Sequence, residues 1–363
     1  MTLALTIRLP QPDFRPKLRL GFNTRVAFND KDGPAQGLRD GIALYQAAER
    51  LGYQSGWSYQ RHFDHYLSSP LPFFAAVGQH TSRITLGSAV IPMRYQDPIL
   101  LAEAAGTTDL LIGGRLELAV STGATAAFDA VFGPVATDAR TEAKRRQARF
   151  LAAVRGDVLH RVDGPGQGAP EGTELRVTPH SPGLAGRIRQ GVSSVASAIH
   201  AAELGLSLIT GTVQHGQDPG ESFSDHQARI IQTYRVTWEL LHGTKAPPVA
   251  VAASVLPGTT DELRDTYAAY DHERRTFGIA ASRPAGALTP TARSNAPEGS
   301  QISPVFHGAP DQVAAAVLAD PGIALADELV LFLPPGFGLP QNIRLLTDLA
   351  ETVAPALGWS PAA

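Results

Sequence analysis

The sequence predicts a parallel α/β barrel of the (β/α)8, or TIM, class with insertions, held in one domain over residues 1–363. Three observations lead there. Apolar, strand-like runs alternate with amphipathic helical stretches along most of the chain, the pattern of a parallel sheet with helical crossovers. Residues 84–123 show one such unit complete. No GxGxxG follows the first strand, which weakens the rival open, doubly wound sheet.

Within that unit, residues 84–91 are apolar and β-branched enough for a buried strand, and Pro92 stops it. Pro98 opens a helix with apolar Ile99, Leu100, Ala102, Ala105, Leu110 and Leu111, and Gly113-Gly114 closes it. A second strand over 116–120 runs into Ser121-Thr122-Gly123. Strand, helix and parallel strand imply a right-handed crossover.

The other elements follow in order. Residues 18–22 alternate, with Leu18, Leu20 and Phe22 on one side and Arg19, Gly21 and Asn23 on the other. A helix over 38–51, stopped by Gly52, leads to a second strand over 54–59 and a helix over 70–81. After Gly123 the pattern loosens. Residues 142–155 are a helix with a basic face, and 161–184 are rich in Gly and Pro, with a short strand near 175–177. The fifth strand falls within 186–194, then come helix 195–204, a sixth strand at 206–210 and helix 225–241. The seventh strand is 249–255, with helix 261–277 after it. Residues 281–304 have loop composition throughout and are the expected mobile insertion. Helix 310–318, an eighth strand at 328–332 and helix 341–353 complete the count.

Composition narrows the function. With 43% apolar and 18% charged residues, the chain has the makings of a large core. A net charge of −3 and no long basic run argue against nucleic acid or an anionic membrane as partner. The absence of cysteine removes disulfides, thiolate metal sites and cysteine nucleophiles together. No run reaches transmembrane length and the N-terminus does not read as a signal peptide, so a soluble cytoplasmic protein is expected.

In a barrel the chemistry sits at the C-terminal ends of the strands. The Gly191-Val192-Ser193-Ser194 turn, with Ser197 in the helical turn behind it, has the makings of an anion site: free amides, hydroxyls and the positive end of a helix. Plain N-capping is the commoner role for such serines. His62 could donate or accept a proton near neutral pH, and Arg61 could clamp an anion, although loop histidines and surface arginines are usually bland. His62 and His65 lack a suitably spaced acid, so a metal is not expected. Glu117 faces the barrel interior near its bottom and needs a partner, for which Arg19 is one candidate in a structural pair. A nucleophile elbow and a Walker lysine motif are both missing.

The residues resemble the bacterial-luciferase-like flavin-dependent monooxygenases. The likeness is carried by LYQAAERLGYQSGW (44–57), TSRITLGSAVIP (81–92) and DPILLAEAAGTTDLLIGGRLELAVSTG (97–123), with weaker echoes at 186–210, 307–317 and 342–358. The resemblance implies a barrel that binds FMN, usually as a homodimer, with reduced flavin delivered transiently by a separate flavin reductase and a small-molecule substrate oxidised by dioxygen. It places the flavin ring near Ala89, Val90 and Ile91, often beside a cis peptide, and the flavin tail near Ser121, Thr122 and Gly123. It makes Gly191, Ser193, Ser194 and Ser197 the phosphate turn and puts Thr210 and Gly211 on the far side of the ring.

Two departures stand out. Many members have Glu-His-His where this chain has Gln60-Arg61-His62, so Arg61 replaces the histidine credited with assisting oxygen chemistry and His62 survives. Some members also carry an arginine at the position of Thr122, a role Arg94 could take over. His62 and Arg61 are therefore the expected catalytic residues. A deazaflavin-dependent hydride-transfer enzyme and a flavin-binding protein without turnover are the alternatives.

Overall fold

The computed structural model describes residues 18–123, 128–133, 138–164, 168–277 and 299–362. The chain begins with β1 (Arg19–Thr24), α1 (Gly33–Arg50), β2 (Ser55–Ser58), α2 (Pro70–Gly78), β3 (Thr85–Pro92), α3 (Pro98–Leu111) and β4 (Leu116–Ser121). Short α4 (Asp129–Phe132), long α5 (Ala139–Arg155) and an antiparallel hairpin of β5 (His160–Arg161) and β6 (Glu174–Leu175) follow. Next come β7 (Ile188–Val192), α6 (Val195–Glu203), β8 (Ser207–Thr210), β9 (Val213–Gln214) and α7 (Phe223–His242). Then β10 (Ala250–Pro257), α8 (Asp261–Phe277), β11 (Gln301–Ile302) and β12 (Val305–Gly308) lead to α9 (Pro310–Ala319), β13 (Glu328–Phe332) and α10 (Leu339–Asp348).

Strands β1, β2, β3, β4, β7, β8, β10 and β13 pair in parallel in that circular order, and β13 returns to β1. The barrel expected from the sequence is closed. Each strand is buried on both faces, which explains the near-continuous apolar runs. Outward residues such as Leu20, Phe22, Leu86, Leu118 and Leu329 pack beneath the helices. Inward residues are mostly small, because a barrel of this size has room for few large side chains. Trp57 fills much of it: a Cβ on Gly87 would come within 2.4 Å of the indole.

Two details differ from the sequence reading. β12 lies in parallel with the upper half of β10, Ser254–Pro257, and went unseen because its four residues adjoin a loop-like stretch. Of the expected 281–304 loop, residues 281–298 lie outside the described residues. The remainder is not all loop, since β11 pairs with β9. No described helix is long and apolar enough to cross a membrane.

At the bottom of the barrel the first or second residues of the strands make a buried ionic layer. Arg189 Nε donates to Glu117 Oε2 at 2.7 Å and its Nη2 to Glu328 Oε2 at 3.0 Å. Ser55 Oγ donates to Glu328 and accepts from Trp57 Nε1 at 3.0 Å, and the Arg189 guanidinium lies 5.2 Å from the Trp57 ring centroid. Arg19 approaches both acids only to 3.7–3.8 Å, so Arg189, not Arg19, is the chief partner of Glu117. Consecutive barrel strands β4 and β7 bring them together, in a register that the loosely patterned 124–187 stretch between them did not reveal. Burial works against the Glu328 charge, but Arg189 and Arg19 outweigh it and hold that carboxyl below its usual range. Arg189→Met leaves two buried carboxylates without their main counter-ion and is expected to cost about 3–5 kcal/mol of stability. A urea unfolding midpoint equal to the parent's would contradict this account.

Candidate active site

The mouth of the barrel is shaped first by β3. The Ala89–Val90 peptide is cis, and the pairing with β4 slips between Ala89 and Ile91. Alternation is therefore broken, and Ala89 and Val90 both join the interior cluster of Trp57, Ala119, Ile209, Ala250 and Val330. Val90 reaches across toward β7, where a Cβ on Gly191 would stand 2.5 Å from Val90 Cγ1. Glycine is needed there for space. Asn23 Nδ2 donates to the Ala89 carbonyl at 3.4 Å, while its Oδ1 is buried with no hydrogen bond. Ser254, on the Ala250 side of β10 by alternation, also buries its hydroxyl without a partner. The result is a small-residue floor edged by idle polar atoms.

The serine turn ahead of α6 is closed on itself. Ser197 Oγ accepts from the Ser193 and Ser194 amides at 3.2 and 3.0 Å, and Ser194 Oγ accepts from the Ser197 amide at 3.3 Å. This is a complete capping box. The next amides, Val195 and Ala196, have no acceptor within the helix and point out from its N-terminus. Beside β3, at the end of the adjoining β4, Ser121, Thr122 and Gly123 are half-buried, and Gly123 takes a left-handed φ of +79° against Pro92.

Other expected residues are engaged elsewhere. Thr210 turns its hydroxyl outward to Gln227 Oε1 at 3.0 Å, leaving only its backbone at the rim, and the Gly211 amide donates to the Val192 carbonyl. Arg94 is locked to Asp129 through Nε–Oδ1 at 2.7 Å and a second contact, so it is no spare cation in place of an arginine at Thr122. Arg61 Nε donates to Asp64 at 2.8 Å. Burial opposes its charge, and Asp64 and Tyr59 more than offset that.

His62 lies in an aromatic nest that sequence reading missed, because its members come from three separate loops. Its ring is 4.9 Å from Phe132, 6.1 Å from Tyr95 and 6.5 Å from Phe128. Nε2 is buried with no hydrogen bond, and burial lowers the imidazole's proton affinity. Two buried arginines, Arg25 and Arg274, were missed as well, since a charged residue after a strand or on a charged helix carries no signal in the sequence. A cavity of about 290 Å³ lies between α1 and the turn after β13, lined by Arg25 as well as by Asp32 and Asp40. Among the described residues no three His, Asp or Glu side chains are grouped to hold a metal.

These features define a (β/α)8-barrel protein with an apolar, carboxylate-poor mouth built around a bulged third strand. The chain belongs to the luciferase-like monooxygenase family, whose profile matches residues 18–323. It is 31% identical over 133 residues to a 4-hydroxyprotoasukamycin monooxygenase of Streptomyces nodosus subsp. asukaensis, covering 36% of this chain and 33% of that protein. It is 33% identical over 129 residues to an F420-dependent glucose-6-phosphate dehydrogenase of Kribbella flavida, covering 32% and 36%. The matched part thus spans about a third of either relative's length. The fold is that of the oxygenating constituent of 3,6-diketocamphane monooxygenase from Pseudomonas putida, solved with FMN: TM-score 0.70, 16% identity, 94% of this chain and 99% of the other covered.

Two outcomes are expected from this geometry. Gly191→Ala forces Val90 aside and is expected to destabilise by about 1–3 kcal/mol. A Val90→Ala partner mutation should recover most of that, and thermal melts giving strictly additive effects would exclude the contact. The His62 titration, followed by imidazole NMR, should have its midpoint below the ordinary 6.5. Because the folded value is the lower one, His62's contribution to stability is present above pH 6.5 and lost as pH falls toward the folded value. Phe132→Ala should move the midpoint back upward. No movement would mean that the nest is not what suppresses the charge.

Proposed function

We propose that this protein is an FMN-dependent monooxygenase that uses reduced flavin and dioxygen to oxidise a small organic substrate. The family match over residues 18–323 carries the reading. The mouth suits a flat, weakly polar ring: Ala89 and Val90 give an apolar surface, and Gly191 keeps the neighbouring strand from crowding it. The idle Asn23 Oδ1 and Ser254 Oγ are buried polar atoms that a heteroaromatic ring would satisfy. Ser121, Thr122 and Gly123 would lie along the ribityl tail. Gly191, Ser193, Ser194 and Ser197, with the free amides at the head of α6, would hold the phosphate. The backbone at Thr210 and Gly211 would border the ring.

Bound flavin supplies the two electrons and the reaction with dioxygen. This chain's part is to exclude water and to manage protons. His62, kept neutral by its aromatic nest, can hold or pass a proton at Nε2. Arg61 is neutralised in part by Asp64 and so positions the 60–65 turn more than it offers a naked charge. The reductase is a separate protein in this reading, in line with the diketocamphane relative's description as an oxygenating constituent. We further read the chain as one cytoplasmic barrel domain acting as a homodimer. Leu100 and Leu111 are exposed on one face of α3, as an interface would require, and sedimentation reads the assembly state.

A deazaflavin-dependent hydride transfer is the second reading, favoured by the F420-dependent relative. Anaerobic titration with FMN and a deazaflavin, each oxidised and reduced, separates the two. Reduced FMN should bind about tenfold or more tighter than the deazaflavin. On mixing with dioxygen, His62→Ala should alter the rate of flavin reoxidation. Tighter binding of the deazaflavin would favour the second reading, and binding of neither would sink both.

A further inference from the structure

We propose that Arg25 and Arg274 form an anion anchor at the barrel mouth, which takes the carboxylate or similar oxyanion end of a small organic substrate. Calling that anion a substrate rests on the oxidation proposed above, whereas the anion site stands on its own geometry.

Arg25 directly follows β1 and continues the inward series Arg19, Gly21, Asn23. It is 7% exposed, and its guanidinium carbon lies 5.4 Å from the Tyr59 ring, 5.0 Å from Tyr66 and 5.5 Å from Phe332. Arg274, in the last turn of α8, is 3% exposed and lies 5.6 Å from the same Phe332 ring. Its Nη2 donates to Ser303 Oγ at 3.1 Å. The Nε of each arginine is buried with no hydrogen-bond partner. Among the described residues neither guanidinium is ion-paired. Asp271, one turn before Arg274 on α8, is bound by Arg275 at 2.5 Å and approached by His307 at 3.4 Å, and it acts on Arg274 only as a minor opposing charge. Burial weakens Arg274's hold on its proton, the Tyr270 phenol opposes that, and Arg25 weakens it again.

The same barrel supplies the contrast. Arg189, equally buried, is met by two carboxylates, as a structural arginine must be. Arg25 and Arg274 share one aromatic wall at Phe332, and among the described residues no carboxylate is ion-paired with either. An oxyanion completes such an arrangement, because guanidinium forks match carboxylate and phosphate oxygens in pairs. The rings of Tyr59, Tyr66 and Phe332 exclude water and favour an anion with an apolar body.

The position argues against the cofactor's phosphate. In circular order β7, which precedes the serine turn, is four strands from β1 and so on the opposite side of the barrel. A ring lying over Ala89 and Val90 would separate the two anion sites.

The test is calorimetric titration of the purified full chain with benzoate and with benzamide, its neutral counterpart of nearly the same shape. Benzoate should bind at least about tenfold tighter, with affinity falling as salt rises. Arg25→Met and Arg274→Met should each weaken benzoate by about tenfold or more while leaving FMN affinity within about twofold. Both variants should melt no lower than the parent in the absence of anion, since each removes an unpaired buried charge. Equal binding of benzoate and benzamide by the parent would overturn the proposal, and needs no variant to be folded. So would mutual exclusion of benzoate and FMN, or loss of FMN binding in the variants, because the arginines would then hold the cofactor. Failure of FMN to bind at all, with benzoate binding intact, would remove the monooxygenase reading and leave the anion site standing.

Discussion

The volume inside the barrel is the constraint on which the rest of this structure depends. Eight strands enclose space for only a few large side chains, so each large residue inside requires a glycine facing it. Trp57 occupies the middle, and Gly87 yields to it. Below Trp57, its ring nitrogen and Ser55 join the ionic layer of Arg189, Glu117 and Glu328. Above it, Ala89 and Val90 take the remaining room, and Gly191 yields in turn. Closed packing below and an open, small-residue floor above have one cause.

That cause also divides what could be read from the sequence. All eight barrel strands were legible, some as apolar runs such as 84–91 and 249–255 and others, like 18–22, from alternation and their place between helical stretches. Position within the mouth was harder. Thr210 stands at the end of its strand, yet alternation sends its hydroxyl out to Gln227, and only knowing that Ile209 faces inward reveals this. Arg189 could not be matched to Glu117 without knowing that β7 pairs with β4. The bulge at Ala89–Ile91 has no signature in residue type at all; the resemblance implied a cis peptide there, but not the slip in pairing. Of the site, the loops were legible and the directions of the side chains were not.

The mouth is sorted by charge as well as by size. Three of its acids are tied: Asp64 to Arg61, Asp129 to Arg94 and Asp271 to Arg275. Burial among rings from the loops after β3 and β4 lowers the proton affinity of His62. What stays available is positive or neutral: two arginines, a hydroxyl, an amide oxygen and the head of α6. A site so arranged discourages cations and leaves a bound flat molecule facing donors at its edge.

The self-contained serine turn has a further consequence. The Ser194 and Ser197 hydroxyls already satisfy three of its amides, and Arg94, the cation considered for this role, is committed to Asp129. An anion arriving there meets amides held ready at little cost in ordering, without Arg94 to detain it. Under the proposed function this favours rapid exchange over long residence. The protein would then handle its flavin as a co-substrate passing through, loaded for each turnover, in place of a prosthetic group retained for life.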